Sequence, residues 1–246
     1  MKIIPIKTRI FTPPKDDIYD LLDKYCVDLR EKDVLLISSK IISIHEGRCL
    51  EMKNTSKNAL VKKEADHYIK HDNFSDIIFT IKNKTIIPFA GIDERNSNGH
   101  YILWPKNPYK SAQKICNYLK KKRKIKKLAL IITDSYAIAM RAGMLGISIG
   151  FSGLRPSRDY KNKKDIFNEQ FQMEQANIVD ALAAAGVLAM SEGDEKQPMA
   201  IIRNASFIDF TSKNTKRDLD IPLKEDLYYP ILKKKEIINI FTSNKF

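Results

Sequence analysis

An unbroken apolar run of strand length, residues 128–133 (LALIIT), constrains what this chain can fold into more than any other feature. It has no polar face to turn toward water, so it reads as a buried strand. Residues 34–38 (VLLIS) form a second such run, and residues 40–44 are expected to extend it toward the turn residues Glu46 and Gly47. Around these strands, Ile18, Leu21, Leu22, Tyr25 and Leu29 recur at helical spacing over residues 16–30, just after Pro13 and Pro14. Further helices are expected over 57–70, 111–121 and 172–190. The last is Ala-rich, carries Ile178, Leu182, Ala185 and Leu188 on one stripe, and ends at Gly193. Short strands are expected over 77–81, 85–88, 147–151 and 199–203. The order lacks a regular strand–helix–strand cadence, which favours an α+β fold of mixed sheets with packed helices over a doubly wound sheet. There is no internal repeat or low-complexity linker, and the polar tail from Phe241 is expected to fray.

A chain of 246 residues, 43% hydrophobic and 30% charged, can bury one substantial core, arranged as one unit or two lobes. The opening MKIIPIKTRIF holds no apolar stretch of secretory-signal length, and no later run approaches membrane-spanning length. A soluble cytoplasmic protein with no membrane partner is the expectation. Cys26, Cys49 and Cys116 are widely spaced, so they read as free buried thiols. The net charge of +13 and pI near 9.5 raise the question of nucleic acid. However, Lys far outnumbers Arg and accompanies abundant Ile and Asn, a compositional bias that would charge any solvated surface. The densest run, 120–127 (KKKRKIKK), lies between an amphipathic segment and an apolar strand and reads as a solvated connection, so nucleic acid is not the expected partner.

The chemistry must come from another device than a phosphate loop, because neither G-x-x-x-x-G-K nor G-x-G-x-x-G occurs. Acidic residues at strand ends are the best candidates, since a rigidly held carboxylate can coordinate a hard cation. Asp134 and Ser135 follow directly on LALIIT, and Asp93 stands in the Gly- and Asn-rich loop AGIDERNSNG. Glu192 lies in the acidic loop MSEGDEKQ, at a helix C-terminus where the dipole disfavours a carboxylate. Taken singly, each also reads as a turn-former or cap. His45, His67, His71 and His100 fall in no metal-binding spacing. Trp104, in YILWPKNP, reads as a core or dimer-contact residue rather than a stacking platform, and Asp180, in the middle of the long helix, as a structural capping partner for a neighbouring loop rather than an orienter of the site.

Read together, these segments resemble one family, the coenzyme F-420 γ-glutamyl ligases. The resemblance runs through IIPIKTRIF, DVLLISSKIISIHEGR, AGIDERN, LALIITDSYAIAMRAG, GISIGFSGLRPSRDY and NIVDALAAAGVLAMSEGDEKQPMAIIRN. It covers residues 1–205 as a ligase-like domain, with 206–246 as a C-terminal extension packing on it. The KTRIF and ILWP segments are closest to the branch in organisms that lack this coenzyme. The resemblance implies an intertwined homodimer. It implies metal ligation by Asp93, Asp134, Ser135 and Glu192, for Mg2+ or Mn2+. It also implies GTP or ATP contacts from Arg9, Ile10, Phe11, Thr12, Ser39, Lys40, Asn96, Met190, Ser191, Gly193 and Asp194. Asp93, Asp134 and Arg141 would serve catalysis, Arg141 by facing phosphate or a substrate carboxylate.

The implied reaction joins L-glutamate to a carboxylate acceptor, the F-420 precursor or a folate-like or other acid, through an acyl phosphate. The sequence departs from the family at four places. Ile44 replaces a lysine, Asn168 and Glu169 replace a glycine–arginine pair, Ser191 replaces a glycine, and Arg95 replaces a serine. Two other readings follow: a catalytically weakened relative that binds nucleotide or metal without turnover, and a basic nucleic-acid-binding protein.

Overall fold

The structure is a computed structural model that describes residues 1–70 and 77–232. Its elements in chain order are β1 (Lys2–Ile6), α1 (Ile18–Tyr25), β2 (Asp33–Ser38), α2 (Ser39–His45), β3 (Cys49–Glu51), α3 (Lys57–Glu64), β4 (His67–Lys70), β5 (Ile78–Lys82) and β6 (Thr85–Pro88). They continue with β7 (His100–Ile102), α4 (Pro108–Arg123), β8 (Leu128–Ala137), β9 (Met144–Ser152), β10 (Ser157–Asp159), β11 (Gln175–Asn177), α5 (Ile178–Met190), β12 (Met199–Arg203) and α6 (Tyr229–Leu232). A five-stranded sheet of order β1-β12-β2-β8-β9 forms the centre, parallel only between β2 and β8. Three small antiparallel sheets, β3-β7, β4-β5-β6 and β10-β11, lie around it. The class is α+β with mixed sheets.

The two apolar runs are the inner strands β2 and β8, and both faces of each are covered. Leu35, Ile37, Leu128, Leu130 and Ile132 enter the larger core with α1, α2 and α4. Val34, Leu36, Ala129 and Ile131 alternate onto the other face, under Val179, Leu182 and Ala183 of α5. Strands covered on both sides need no polar alternation, which is why these segments read as continuous apolar runs.

Four expected boundaries change. Residues 40–44 do not extend β2. They form α2, where Ile41, Ile42 and Ile44 pack into the larger core, so burial overrides the preference of β-branched residues for strands. The helix expected over 57–70 stops at Glu64, and His67–Lys70 pairs antiparallel with β5. The helix expected from residue 172 begins at Ile178, because Asn177 caps it by accepting from the Asp180 N–H and the preceding residues pair as β11. The first helix ends at Tyr25 rather than continuing to residue 30. Cys26, Cys49 and Cys116 are free, and burial pushes the Cys26 thiol up to about 12. No helix among the described residues is long and apolar enough to cross a membrane. His71 and the tail from Phe241 lie outside the described residues.

Candidate active site

Strand β8 is buried through Thr133 and then emerges, so Asp134 and Ser135 are the first side chains it delivers to a partly open surface. A register shift against β9 falls between Ile132 and Thr133, just before them. Asp180 on α5 supports the shifted strand, accepting from the Ser148 N–H at 2.9 Å. Bulges of this kind bend a strand and re-aim the side chains beyond it.

Asp93 arrives from the other side. Phe89, Ala90 and Gly91 take positive φ values of 55°, 55° and 69° in succession, a left-handed turn that costs backbone energy. The Thr80 hydroxyl holds this turn, accepting from the Ala90 N–H at 2.9 Å and donating to the Ile87 carbonyl. Asp93 then exchanges both backbone hydrogen bonds with Ile102, at 2.9 and 2.8 Å. Its Oδ1 accepts from the Arg95 N–H at 2.8 Å, and its Oδ2 pairs with Lys40 Nζ at 2.7 Å. Lys40, from the first turn of α2, also donates to the Arg95 carbonyl at 2.8 Å.

Trp104 Nε1 donates to Asp134 Oδ2. Burial, with a smaller contribution from the like charge of Asp93, pushes the Asp134 carboxyl up to about 6, against the opposing pull of Trp104, the Ser135 N–H and Lys40. Two carboxylates thus feel each other, and a single ammonium acts on both.

The loop after α5 closes this group. The Ser135 hydroxyl donates to Glu192 Oε1, and Asn96 Nδ2 donates to the Gly193 carbonyl at 3.0 Å. On its far side the same loop is tied to the amino-terminal segment and to β2, through Thr8 N–H to the Lys196 carbonyl at 2.8 Å and Ser38 N–H to the Pro198 carbonyl at 2.9 Å. Arg9 forks onto Asp16 at 2.5 and 2.7 Å, and Asp16 also accepts from the Thr12 and Asp17 N–H groups. With the Arg9 guanidinium first among the causes, the Asp16 carboxyl falls to about 2.

Asp93, Asp134, Ser135, Glu192, Lys40, Asn96 and Gly193 are therefore linked through direct contacts or mutual electrostatics. Ile10 is exposed, whereas Phe11, Ser39 and Met190 are buried, so those three present backbone rather than side chains. Asp194 is exposed and Ser191 lies in the loop itself. Arg141 is not brought to the group. It lies in the β8–β9 connection, exposed and without a side-chain partner among the described residues, and Asp134 is already separated from the end of β8 by about 10 Å of strand.

Two departures acquire physical meaning. Ile44 is 1% exposed in the larger core, so this chain offers packing where the family resemblance implies a cation. Asn168, at φ 68°, takes the left-handed turn a glycine would, and Glu169 closes it on an exposed arm, its carbonyl accepting from the Asp165 N–H and its N–H donating to Asp165 Oδ1. Trp104 is in the core, and its bond to Asp134 is not apparent from its place in YILWPKNP. The available signal was elementary: a buried indole N–H needs an acceptor.

Among the described residues, no group of three or more His, Cys, Asp or Glu gathers as a ready metal cluster. The donors are nonetheless all hard oxygens. Magnesium commonly relies on one or two carboxylates, retained waters and substrate phosphates, a mode that Asp93 and Asp134 fit, while Glu192 bonds Ser135 and does not join that pair in a three-carboxylate cluster.

The fold and this group define an α+β protein with a carboxylate site at a strand end, beside a loop whose Gly193 carbonyl accepts from Asn96. Residues 6–204 match the model of the F420-0:Gamma-glutamyl ligase family, and the chain belongs to that family. It is 30% identical to the Coenzyme F420:L-glutamate ligase of Methanocaldococcus jannaschii, covering 93% of this chain and 96% of that protein. It is 31% identical to the protein of that name from Methanococcus maripaludis strain S2, over 93% and 97%. The one from Halorubrum lacusprofundi is 28% identical over 79% and 83%.

Proposed function

We propose that this chain ligates L-glutamate to a carboxylate acceptor at the expense of GTP or ATP, with the F-420 precursor as first candidate acceptor. The observation that carries the reading is the placement of Asp93 and Asp134, in a chain matched to this ligase family over residues 6–204. An acceptor carboxylate oxygen attacks the γ-phosphorus, giving an acyl phosphate and the nucleoside diphosphate. The glutamate amine then attacks the acyl carbon, phosphate leaves with the bonding pair, and a proton is released. Such transfer depends on positioning and charge neutralisation. A bound Mg2+ or Mn2+ would neutralise developing phosphate charge. Asp93, Asp134, Ser135 and Glu192 would hold it, while Lys40 stands ready to shift its ammonium from Asp93 toward phosphate. Asn96 and the backbone of residues 190–194 would contact the nucleotide, with residues 9–12 alongside.

A homodimer belongs to the same reading. Met140, Met144 and Leu145 at the β8–β9 hairpin, Phe167 on the β10–β11 arm and Leu188 on α5 are exposed apolar side chains that a second copy would cover.

The second reading, binding without turnover, is favoured by Ile44 filling the core where the family resemblance implies a cation. Isothermal titration with GTP and Mn2+, followed by phosphate release with glutamate and the F-420 precursor, separates the two. Ligase activity requires acceptor-dependent release that Asp134→Asn abolishes. Binding with no release under any acceptor supports the weakened relative, and no nucleotide binding at all defeats both.

A further inference from the structure

We propose that Trp104 is a positioning residue for this site, its indole N–H fixing the orientation in which Asp134 meets a cation; the inference rests on the metal-dependent function proposed above. Trp104 is 1% exposed, and its Nε1 donates to Asp134 Oδ2. Trp104 is held from several directions. Its backbone carbonyl accepts from Arg48 Nε at 3.1 Å, and Arg48 Nη2 reaches Glu64 at 2.6 Å. Glu64 also accepts from Lys82 Nζ at 2.8 Å, and that ammonium stands 5.9 Å from the Trp104 ring centroid.

From the remaining side, Gly91 approaches so closely that an added Cβ would lie 2.1 Å from Nε1. The same loop carries Asp93 two residues later, so one glycine lets the Asp93 loop and the Asp134 partner close together. A buried indole could satisfy its donor on a backbone carbonyl with no charge nearby. Spending it on a carboxylate that burial already disfavours is reasonable where that carboxylate must point one way. Such supporting bonds alter metal affinity because they set ligand orientation, commonly by about 10- to 100-fold.

Trp104 is the chain's only tryptophan, so the full-length protein gives a single indole N–H resonance. In 15N-labelled protein, that resonance should lie downfield, and Asp134→Asn should move it upfield while the amide spectrum stays folded. Mn2+ binding in the presence of GTP, read by electron paramagnetic resonance, should weaken about 10-fold in Trp104→Phe. Leu119→Ala, a core truncation on α4, should keep wild-type affinity and so separates positioning from stability. An indole resonance unmoved by Asp134→Asn, or Trp104→Phe binding as tightly as wild type, overturns the proposal alone. Wild-type protein that binds no Mn2+ with GTP overturns it together with the function on which it rests.

Discussion

Ser191 has φ 62° and ψ 171°, a region that glycine enters freely and a side chain enters only with strain. The glycine that the family resemblance implies at this position would meet no such strain. Ser191→Gly should stabilise the fold by about 1 kcal/mol, read as a higher urea midpoint at unchanged slope. Asp16 supports a pH prediction. Its folded carboxyl titrates at about 2, below its ordinary value, so its contribution is present above that ordinary value and is lost as pH falls toward 2. With the Arg9 side chain more than a third exposed, solvent screening holds the effect to about 1 kcal/mol. Asp16→Asn should cost that much at neutral pH and nothing near pH 2, by denaturation at both. Among single residues, Asp93 and Asp134 were legible because each stands just beyond an apolar segment. The Trp104–Asp134 bond was not, because it depends on a register shift and a left-handed turn that meet only in three dimensions.

At the level of elements, β2 and β8 could be read directly because strands covered on both faces leave unbroken apolar runs. Segment α2 could not. Its isoleucines suit a strand, and only their joint burial against α1 and the central sheet makes a helix the better solution. Periodicity located α5 but not its start, which is set by the reciprocal bonds between Asn177 and Asp180. This helix lies very close to β9: a Cβ on Gly146 would come within 2.5 Å of the Ala183 carbonyl and 2.7 Å of Val187. A backbone oxygen cannot step aside cheaply. Gly146→Ala should therefore cost about 1–3 kcal/mol by calorimetry. Because Gly146 pairs with Ser135, the same variant should also weaken nucleotide binding beyond what the stability loss explains.

For the whole molecule, the family match ends at residue 204, but the packing does not. Ile208 is buried in the core beneath α5, with Phe210 and Leu219 packed against it. The Arg155 N–H donates to the Asp209 carbonyl at 2.9 Å, the Thr211 N–H to the Gly153 carbonyl at 3.0 Å, and the Thr215 hydroxyl to the Leu154 carbonyl at 2.9 Å. A truncation after Asn204 would remove all three partners and uncover Leu154, which is 0% exposed. Water would satisfy some of the released groups, but the apolar surface would remain. Loss of one buried aliphatic contact set and one buried hydrogen bond is expected to cost about 3–5 kcal/mol together. For a domain of this size that corresponds to a melting temperature lower by about 10 °C, measurable by differential scanning calorimetry. Residues 153–155 follow directly on β9, whose other end pairs with Asp134 and Ser135. Truncated protein should accordingly lose nucleotide affinity, even where enough of it stays folded to be assayed, because the strand that braces the site has been released at its far end.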